Sequence, residues 1–196
     1  MPGGLSAGSL QRWYEALCRF HVRDLRSLAN AGGSQLRPRT LREVGAVYAF
    51  WWTGDTGMLW GANRRIVLKG AGGRPVTLDW TDEWLGLHAG EPIPLYVGKT
   101  GNLNKRVRQH TLLGRARVAT PDATGRKAKA PTTSCQLRAG LDHLFPAVED
   151  TRDLLLDNVG LSFVELSGDE HGATRFYLED YAVGAMRPPF NVDVER

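Results

Sequence analysis

Apolar side chains near the N-terminus recur at the three- and four-residue spacing of an α-helix. They begin just after Ser9, a residue type that caps helices, and Arg and Glu residues lie between them. The apolar positions are Leu10, Trp13, Tyr14, Leu17, Phe20, Leu25 and Leu28. The pattern predicts an amphipathic helix over residues 9–30, as part of an N-terminal helical extension that covers residues 1–40.

Three shorter runs are dense in β-branched and aromatic residues, a composition that is typical of strands. They are residues 44–52, 95–98 and 159–166. Helical spacing returns at residues 102–113, 134–145 and 172–186. On the last of these helices, the residues expected to face the core are Phe176, Leu178, Ala182 and Val183. Strands and helices together predict a mixed α/β chain.

Residues 58–94 interrupt these elements as an inserted arm. Two strand-like runs, residues 64–69 and 75–80, flank a Gly-rich tip, which is the signature of a β-hairpin. The basic residues of the arm, expected to contact nucleic acid, are Arg64, Arg65, Lys69 and Arg74. A basic hairpin could lie in a DNA groove or could cover the sheet as a protective flap, and the sequence favours neither.

The net charge of +4 is modest, but the charge is distributed unevenly along the chain. From Lys99 to Arg138 there are ten basic residues and one acidic residue, whereas residues 141–196 carry four Arg and twelve Asp or Glu. Further candidates for nucleic-acid contacts are Lys105, Arg108, Arg115, Arg117, Arg126 and Lys127. Such a basic stretch suits a polyanion, because neutralised phosphates release counterions. A solvated, flexible basic loop over residues 114–133 is the alternative.

Composition narrows the classes of function further. The chain has 196 residues, enough for one domain with a sizeable core, and 42% of them are hydrophobic. No apolar run approaches the ~20 residues that span a bilayer, and no signal-peptide pattern is present, so a cytoplasmic protein without a membrane partner is expected. Cys18 and Cys135 lie far apart and outside any metal-binding spacing, which favours buried thiols over a disulfide or a zinc site.

Several aromatic and polar residues follow one another in a specific order along the chain. The order runs through Ala46-Val47-Tyr48, Tyr96-Val97-Gly98-Lys99-Thr100, Asn102 to His110, Arg175 to Glu179, and Pro189-Phe190-Asn191. In this order the segments resemble the GIY-YIG nuclease superfamily, and are most like its stand-alone restriction-type endonucleases. The stretch from Tyr96 to Arg106 is also similar to the bacterial excision-repair incision subunit.

The chain departs from the family pattern in two places. The two tyrosine motifs of the family usually lie close together in sequence, whereas the inserted arm separates Tyr48 from Tyr96. A hairpin extruded from the turn between two antiparallel strands leaves their pairing intact, so this departure is compatible with the family geometry. The first motif has Ala46 where the family usually has Gly, although Gly45 precedes it.

Hydrolysis of a phosphodiester needs an activated water, a group that stabilises charge on the phosphate, and help for the leaving oxygen. The resemblance implies that Tyr48 is the base or proton relay for the water. Lys99 and Arg106 are the cations expected to lower its phenol pKa. Arg106 would also contact the scissile phosphate, and His110, on the same helix face, would orient or polarise the nucleophile.

The resemblance assigns Glu179 as the one carboxylate ligand of a metal ion, Mg²⁺ with Mn²⁺ as the alternative. One carboxylate with several waters is normal for Mg²⁺, which gives up its hydration reluctantly. Tyr96 and Asn191 are expected to bind a phosphate or to brace the site. Each residue alone has an ordinary structural explanation, as a core aromatic, an exposed helix face or a turn residue, and their joint order favours the catalytic set.

We expect one α/β (mixed α+β) domain over residues 1–196. The resemblance implies its small central antiparallel sheet flanked by helices, to which the N-terminal helix and the hairpin arm are added. The implied function is metal-dependent endonucleolytic cleavage of DNA, expected to be double-stranded, by a restriction-like stand-alone nuclease. A symmetric duplex cut would require a homodimer. Open alternatives are a structure-specific or repair nuclease, a DNA-binding module that does not cleave, and an RNA-directed effector.

Overall fold

The strand-like runs of the sequence form one antiparallel sheet that is flanked by helices. The computed structural model describes residues 7–19, 22–30, 37, 40–70, 74–86, 92–111 and 135–192. In chain order the elements are α1 (Ala7–Arg19), β1 (Arg23–Asp24), α2 (Leu25–Leu28), β2 (Ala46–Trp52), α3 (Thr56–Trp60), β3 (Arg65–Lys69), β4 (Pro75–Asp79), α4 (Asp82–Gly86), β5 (Ile93–Thr100), α5 (Leu103–Thr111), α6 (Gln136–Leu144), α7 (Thr151–Asn158), β6 (Val159–Glu165), a 3₁₀ turn (Asp169–His171) and α8 (Gly172–Met186).

Among the described residues, the main sheet has four strands in the order β1-β6-β2-β5, and every neighbouring pair is antiparallel. The mixed α/β class and the small antiparallel sheet predicted from the sequence are therefore confirmed. β2 is central, and its Tyr48 lies opposite Gly98 of β5 and Phe163 of β6. β5 is an edge strand of this sheet, which leaves its outer side accessible to other segments.

The alternation of side chains along β2 divides the core into two parts. Tyr48, Phe50 and Trp52 belong to the cluster that contains residues of α5, α6 and α7. Val47 and Ala49 belong to the cluster that contains residues of α1 and α8. All seven residues of β2 are buried, as the unbroken apolar run requires. Each fully buried large side chain stabilises the fold by about 1.5–3 kcal/mol relative to its exposed state.

The prediction of one helix over residues 9–30 is wrong. α1 ends at Arg19, and Arg23 and Asp24 then form the short strand β1, which pairs with β6. Asp24 also caps α2, because its carboxylate accepts a hydrogen bond of 2.9 Å from the backbone N–H of Arg26. Backbone pairing with the sheet and a new cap thus interrupt the helical pattern. Ser9 lies inside α1 and does not begin it.

Two further helical predictions need correction. α7 was not predicted, although Asp150 caps it through a hydrogen bond of 2.8 Å from the backbone N–H of Arg152. On α8, Leu178 and Ala182 are buried as expected, but Phe176 is 51% exposed. Its position faces away from the core because Leu178 and Ala182, four residues apart, already define the buried face.

The inserted arm forms the predicted hairpin, in which β3 and β4 pair as a separate two-stranded sheet. Ile66 and Leu68 of β3 are buried, and this strand packs against α6. The hairpin therefore packs on a helix, and Ile66 and Leu68 share one core cluster with residues of the main sheet. A contact with DNA and a protective flap both stay predictions for the arm. β2 and β5, which lie on either side of the arm in sequence, still pair with each other, with one irregularity beside Phe50.

Two further expectations concern membrane-spanning helices and disulfide bonds. Among the described helices, none has the length and apolar character that crossing a membrane requires. Neither Cys18 nor Cys135 belongs to a disulfide, and both side chains are half-buried.

Candidate active site

Four of the predicted catalytic residues meet at β5, on the face of the sheet that α5 covers. They are Tyr48 from β2, Tyr96 from β5, and Arg106 and His110 from α5. The ring of Tyr48 crosses directly over Gly98, where an added Cβ would lie 2.5 Å from the Tyr48 hydroxyl oxygen. Only glycine admits so close an approach, so Gly98 of the second tyrosine motif is needed for the packing of the first tyrosine.

Within the described part of the chain, the hydroxyl of Tyr48 has two side-chain partners. Arg106 Nε donates a hydrogen bond of 3.2 Å to the hydroxyl oxygen, and His110 Nε2 lies 2.9 Å from the same oxygen. Arg106 and His110 can reach one atom because residues four apart lie on one helix face. Arg106 also donates a hydrogen bond of 3.2 Å to Gln109 Oε1, which holds the guanidinium in this orientation.

Burial determines the charge states of these groups. The side chain of Tyr48 is fully buried, and burial raises its pKa well above the usual phenol value, with a further contribution from Tyr96. Burial also lowers the pKa of His110 to about 3, and the charge of Arg106 adds to that lowering. Both the phenol and the imidazole are therefore neutral near neutral pH.

The expectation that cations lower the phenol pKa of Tyr48 is wrong in its net direction. Arg106 does act to lower the pKa, through its charge and its hydrogen bond, but desolvation outweighs it. Lys99 does not contact Tyr48 because it points to the other face of β5, where it pairs with Glu179. The pKa of Tyr96 is likewise raised by burial, against the opposing charge of Arg106.

Lys99 and Glu179 form a second group of polar side chains, on the face of the sheet that α8 covers. The backbone N–H of Lys99 donates a hydrogen bond of 3.0 Å to Glu179 Oε1, and the Lys99 ammonium pairs with Glu179 Oε2. The same ammonium lies 5.0 Å from the centre of the Phe176 ring. The Lys99 side chain is 41% exposed and that of Glu179 is 20% exposed, so solvent reaches both.

Asn191 braces the site through the backbone of β5. Its Oδ1 accepts a hydrogen bond of 2.8 Å from the Val97 N–H, and its Nδ2 donates one of 2.7 Å to the Val97 carbonyl. The backbone N–H of Phe190 adds a bond of 3.1 Å to the Leu95 carbonyl. Of the two roles expected for Asn191, the geometry supports the brace, because both amide atoms are already bonded to the edge strand.

A metal ion would have one carboxylate here. Among the residues that the structure describes, no group of three or more His, Cys, Asp or Glu side chains is placed to hold an ion. This donor set does not fit zinc, which takes three or four protein ligands. It fits Mg²⁺, which keeps most of its water and needs one or two carboxylates. Glu179 would hold the ion, and the Lys99 ammonium now bound to Oε2 would have to release that oxygen.

The residues predicted to contact nucleic acid fall into three groups. The guanidinium of Arg64 is bound by other residues of the chain: it pairs with Asp82 and lies 5.4 Å from the centre of the Trp60 ring. The exposed basic residues are Arg65, Arg74, Lys105 and Arg108. The side chain of Lys69 and the whole of Arg115, Arg117, Arg126 and Lys127 lie outside the described residues.

One residue of this site was missed from the sequence. Cys135, which directly precedes α6, places its Sγ 3.0 Å from His110 Nδ1. Its position in the sequence predicts only a thiol outside any zinc or disulfide pattern. No periodic or motif spacing connects Cys135 to His110, so only the packing of α6 against α5 brings the two together.

These contacts place Tyr48, Tyr96, Arg106 and His110 in one cluster, and Lys99 with Glu179 in another across β5. Glu179 is near enough to act electrostatically on both tyrosines. Comparisons with protein-family models, with curated proteins and with solved structures gave no match for this chain. A functional assignment therefore depends on the residues and on the geometry described above.

Proposed function

We propose that this chain is a metal-dependent endonuclease of the GIY-YIG type, which hydrolyses phosphodiester bonds of double-stranded DNA. The observation that carries the proposal is the convergence of Arg106 and His110 on the hydroxyl of Tyr48. Their distances from Tyr48 along the chain are 58 and 62 residues, so the convergence is a product of the fold. The small antiparallel sheet flanked by helices is compatible with the GIY-YIG fold.

The buried cluster supplies a path for a proton. When a water attacks phosphorus, one of its O–H bonds breaks and the P–O3′ bond breaks as the new P–O bond forms. The O3′ oxygen that leaves takes a proton from solvent and becomes a hydroxyl. Tyr48 is fully buried in the free protein, so DNA binding would have to admit the attacking water to its hydroxyl. The water proton can then pass to the Tyr48 oxygen if the phenol proton moves to His110 Nε2 in the same process. A neutral imidazole is required for this acceptance, and burial keeps His110 neutral. The same burial disfavours the imidazolium that forms, so the negative charge of the bound phosphate is needed to stabilise it.

Arg106 supplies the fixed positive charge of the buried cluster. Its Nε donates to the Tyr48 oxygen, which stabilises negative charge that develops there when the phenol proton leaves. A guanidinium also matches two oxygens of a phosphate, so its remaining N–H groups are suited to the scissile phosphate. One residue would thereby align the base and the phosphate with each other.

Glu179 supplies the carboxylate on the opposite face of β5. The backbone N–H of Lys99 orients its Oε1, and this bond persists when the Lys99 side chain moves. A Mg²⁺ or Mn²⁺ ion held by Glu179 would contribute stabilisation of charge on the phosphate and on the leaving oxygen. In a double-strand cut each protomer of a homodimer would contribute one such site.

One observation favours a second candidate, a DNA-binding module that does not cleave. Both carboxylate oxygens of Glu179 are bonded to Lys99, so the residue proposed to hold the ion is already neutralised. If the Lys99 ammonium does not leave Oε2, no carboxylate remains for an ion at this site among the described residues. The two candidates therefore differ in one measurable property, the binding of a divalent cation by Glu179.

The test compares two neighbouring acids of α8. Wild-type protein, Glu179→Gln and Asp180→Asn are incubated with plasmid, phage, branched and single-stranded DNA and with RNA, in Mg²⁺, Mn²⁺ or EDTA. Asp180 is the matched control because it is exposed and adjacent in sequence. We expect metal-dependent cleavage of duplex DNA by wild type and Asp180→Asn, and none by Glu179→Gln. Equal DNA binding by all three proteins without any cleavage would replace the enzyme with the binding module.

A further inference from the structure

We infer that Cys135 is a positioning residue: its sulfur holds His110 in the tautomer that carries hydrogen on Nδ1, and so leaves Nε2 free to accept the proton of Tyr48. The catalytic consequence depends on the proposed nuclease function, whereas the tautomer itself does not. Cys135 is placed for this role at the start of α6, with Sγ 3.0 Å from His110 Nδ1.

The surroundings of His110 leave few polar partners for its ring. Its side chain is 1% exposed, so solvent does not compete for either nitrogen. Aromatic rings of Tyr48, Phe50 and Tyr96 lie 5.2–5.7 Å from the imidazole, centre to centre. Within the described part of the chain, Tyr48 is the hydrogen-bond partner of Nε2 and Cys135 is that of Nδ1.

The direction of the hydrogen bonds follows from Arg106. A guanidinium N–H can only donate, so the Tyr48 oxygen accepts from Arg106 Nε. The phenol hydrogen can then point to the other partner within reach, His110 Nε2, which accepts it only when Nε2 carries no hydrogen of its own. A neutral imidazole has one N–H, so in this arrangement its hydrogen stands on Nδ1 and points to Cys135 Sγ, whose sulfur stabilises it there.

The sulfur is suited to accept that hydrogen. Burial raises the pKa of the Cys135 thiol, so the thiol keeps its own proton near neutral pH. The backbone carbonyl of His110 lies 4.0 Å from Sγ and gives this S–H a weak acceptor. With the S–H directed there, sulfur lone pairs remain for Nδ1–H. Each member of the series Arg106, Tyr48, His110 and Cys135 thus donates to the next.

The opposite tautomer would block the proposed proton path. With hydrogen on Nε2, His110 would donate to the Tyr48 oxygen and could not accept the phenol proton. Tyr48 would then be unable to take a proton from the attacking water. Because Cys135 acts through His110 and not on DNA, its loss should lower kcat and leave KM unchanged.

The first experiment measures the tautomer directly, in the full chain without DNA. The ¹⁵N chemical shifts of the histidine ring nitrogens distinguish a protonated from an unprotonated nitrogen, and His110→Gln identifies the His110 signals. We expect hydrogen on Nδ1 in wild type and in Cys135→Ser, whose hydroxyl can also accept. In Cys135→Ala, Nε2–H should become populated. The matched control is Cys18→Ala, a half-buried cysteine in α1 on the other face of the sheet.

The second experiment measures cleavage by the same variants. We expect kcat of Cys135→Ala to fall roughly tenfold with an unchanged KM, and Cys135→Ser to recover most of the loss, as for groups that orient a functional imidazole. Hydrogen on Nε2 in wild type, or an unchanged tautomer in Cys135→Ala, would overturn the inference. The wild-type spectrum decides even if Cys135→Ala does not fold. If wild type cleaves no substrate, the nuclease proposal fails while the spectrum still tests the tautomer.

Discussion

Two groups of polar side chains lie on opposite faces of β5 and differ in their access to water. The buried group consists of Tyr48, Arg106, His110 and Cys135, and the exposed group consists of Lys99 and Glu179. Tyr48 and His110 have exposures of 0% and 1%, whereas the exposed group forms an ion pair that solvent reaches. Arg106, which stays charged, and Cys135 are the half-buried members of the buried group.

The difference shows how one strand can support two kinds of chemistry. In the absence of water, neutral hydrogen bonds between a phenol and an imidazole are stable, because desolvation disfavours the charged form of each. On the solvated face, a carboxylate keeps its charge and can exchange one cation for another. The first face therefore holds the neutral hydrogen-bonded pair from which the proposed proton path starts, and the second face holds the carboxylate of the proposed ion site.

The largest effect should follow from removal of the Tyr48 hydroxyl. Tyr48→Phe deletes the oxygen on which Arg106 and His110 converge, so the proton path is lost. We expect the rate of DNA cleavage to fall about 10²–10⁴-fold, the usual contribution of a positioned acid or base. DNA binding should persist, as measured by gel shift. Tyr177→Phe, on the exposed side of α8, is the control and should cleave normally, and an active Tyr48→Phe would rule out the tyrosine as base.

The neutral state of His110 predicts how stability depends on pH. Its pKa is about 3 in the folded protein and ~6.5 when unfolded, so the unfolded chain binds one more proton between these values. The stabilisation from this depressed pKa is present above pH ~6.5 and is lost progressively as the pH falls towards ~3. From pH 7 to 5 the free energy of unfolding should fall by about 2 kcal/mol.

Urea unfolding at both pH values measures this loss in wild type and in His110→Gln. We expect the variant to lack the contribution of His110, so its decrease should be smaller by about the same 2 kcal/mol. His171→Gln is the matched control, because the His171 side chain is 40% exposed. Equal decreases in wild type and His110→Gln would contradict a buried neutral imidazole.

β5 supports both groups, and Asn191 secures its outer edge. Asn191→Ala removes two hydrogen bonds to Val97. We expect the free energy of unfolding to fall by about 1–3 kcal/mol, since the Val97 amide and carbonyl lose their partner. Asn104→Ala removes a single bond of 3.1 Å, to the Leu41 carbonyl, and should cost about half as much. A larger loss in Asn104→Ala would show that the edge of β5 does not depend on Asn191.

Most residues of the buried and exposed groups, and the strands and helices that carry them, could be predicted from the sequence. Motif order identifies the residues, and periodicity identifies the elements. The apolar run of β2 and the four-residue spacing of Arg106 and His110 are local signals, and they predicted a strand and a shared helix face. Contacts between segments that are distant in sequence could not be predicted, because they depend on how the elements pack. Nothing in the sequence showed that Lys99 would pair with Glu179 and not approach Tyr48.

The effect of burial on pKa values was the second property that the sequence did not predict. The pKa of Tyr48 was expected to fall because cations were considered without the burial that opposes them. Burial depends on the packing of the whole cluster around Phe50 and α6, which no single motif encodes. For the same reason Cys135 was found only from the structure, and the strand β1 within a helical pattern depended on its pairing with β6.

The smallest effect on stability should come from the exposed group, and it would sharpen the contrast with His110. Solvent-accessible ion pairs contribute about 0–1 kcal/mol, so Lys99→Gln should change the free energy of unfolding by no more than this, and less in high salt. Because the variant removes the cation bound to Glu179 Oε2, it should bind Mn²⁺ more tightly than wild type in a calorimetric titration without DNA. Lys105→Gln, an exposed control on α5, should alter neither quantity. If Lys99→Gln binds Mn²⁺ no better than wild type, Lys99 and the ion do not compete for Glu179, and the exposed face would have lost its proposed function as an ion site.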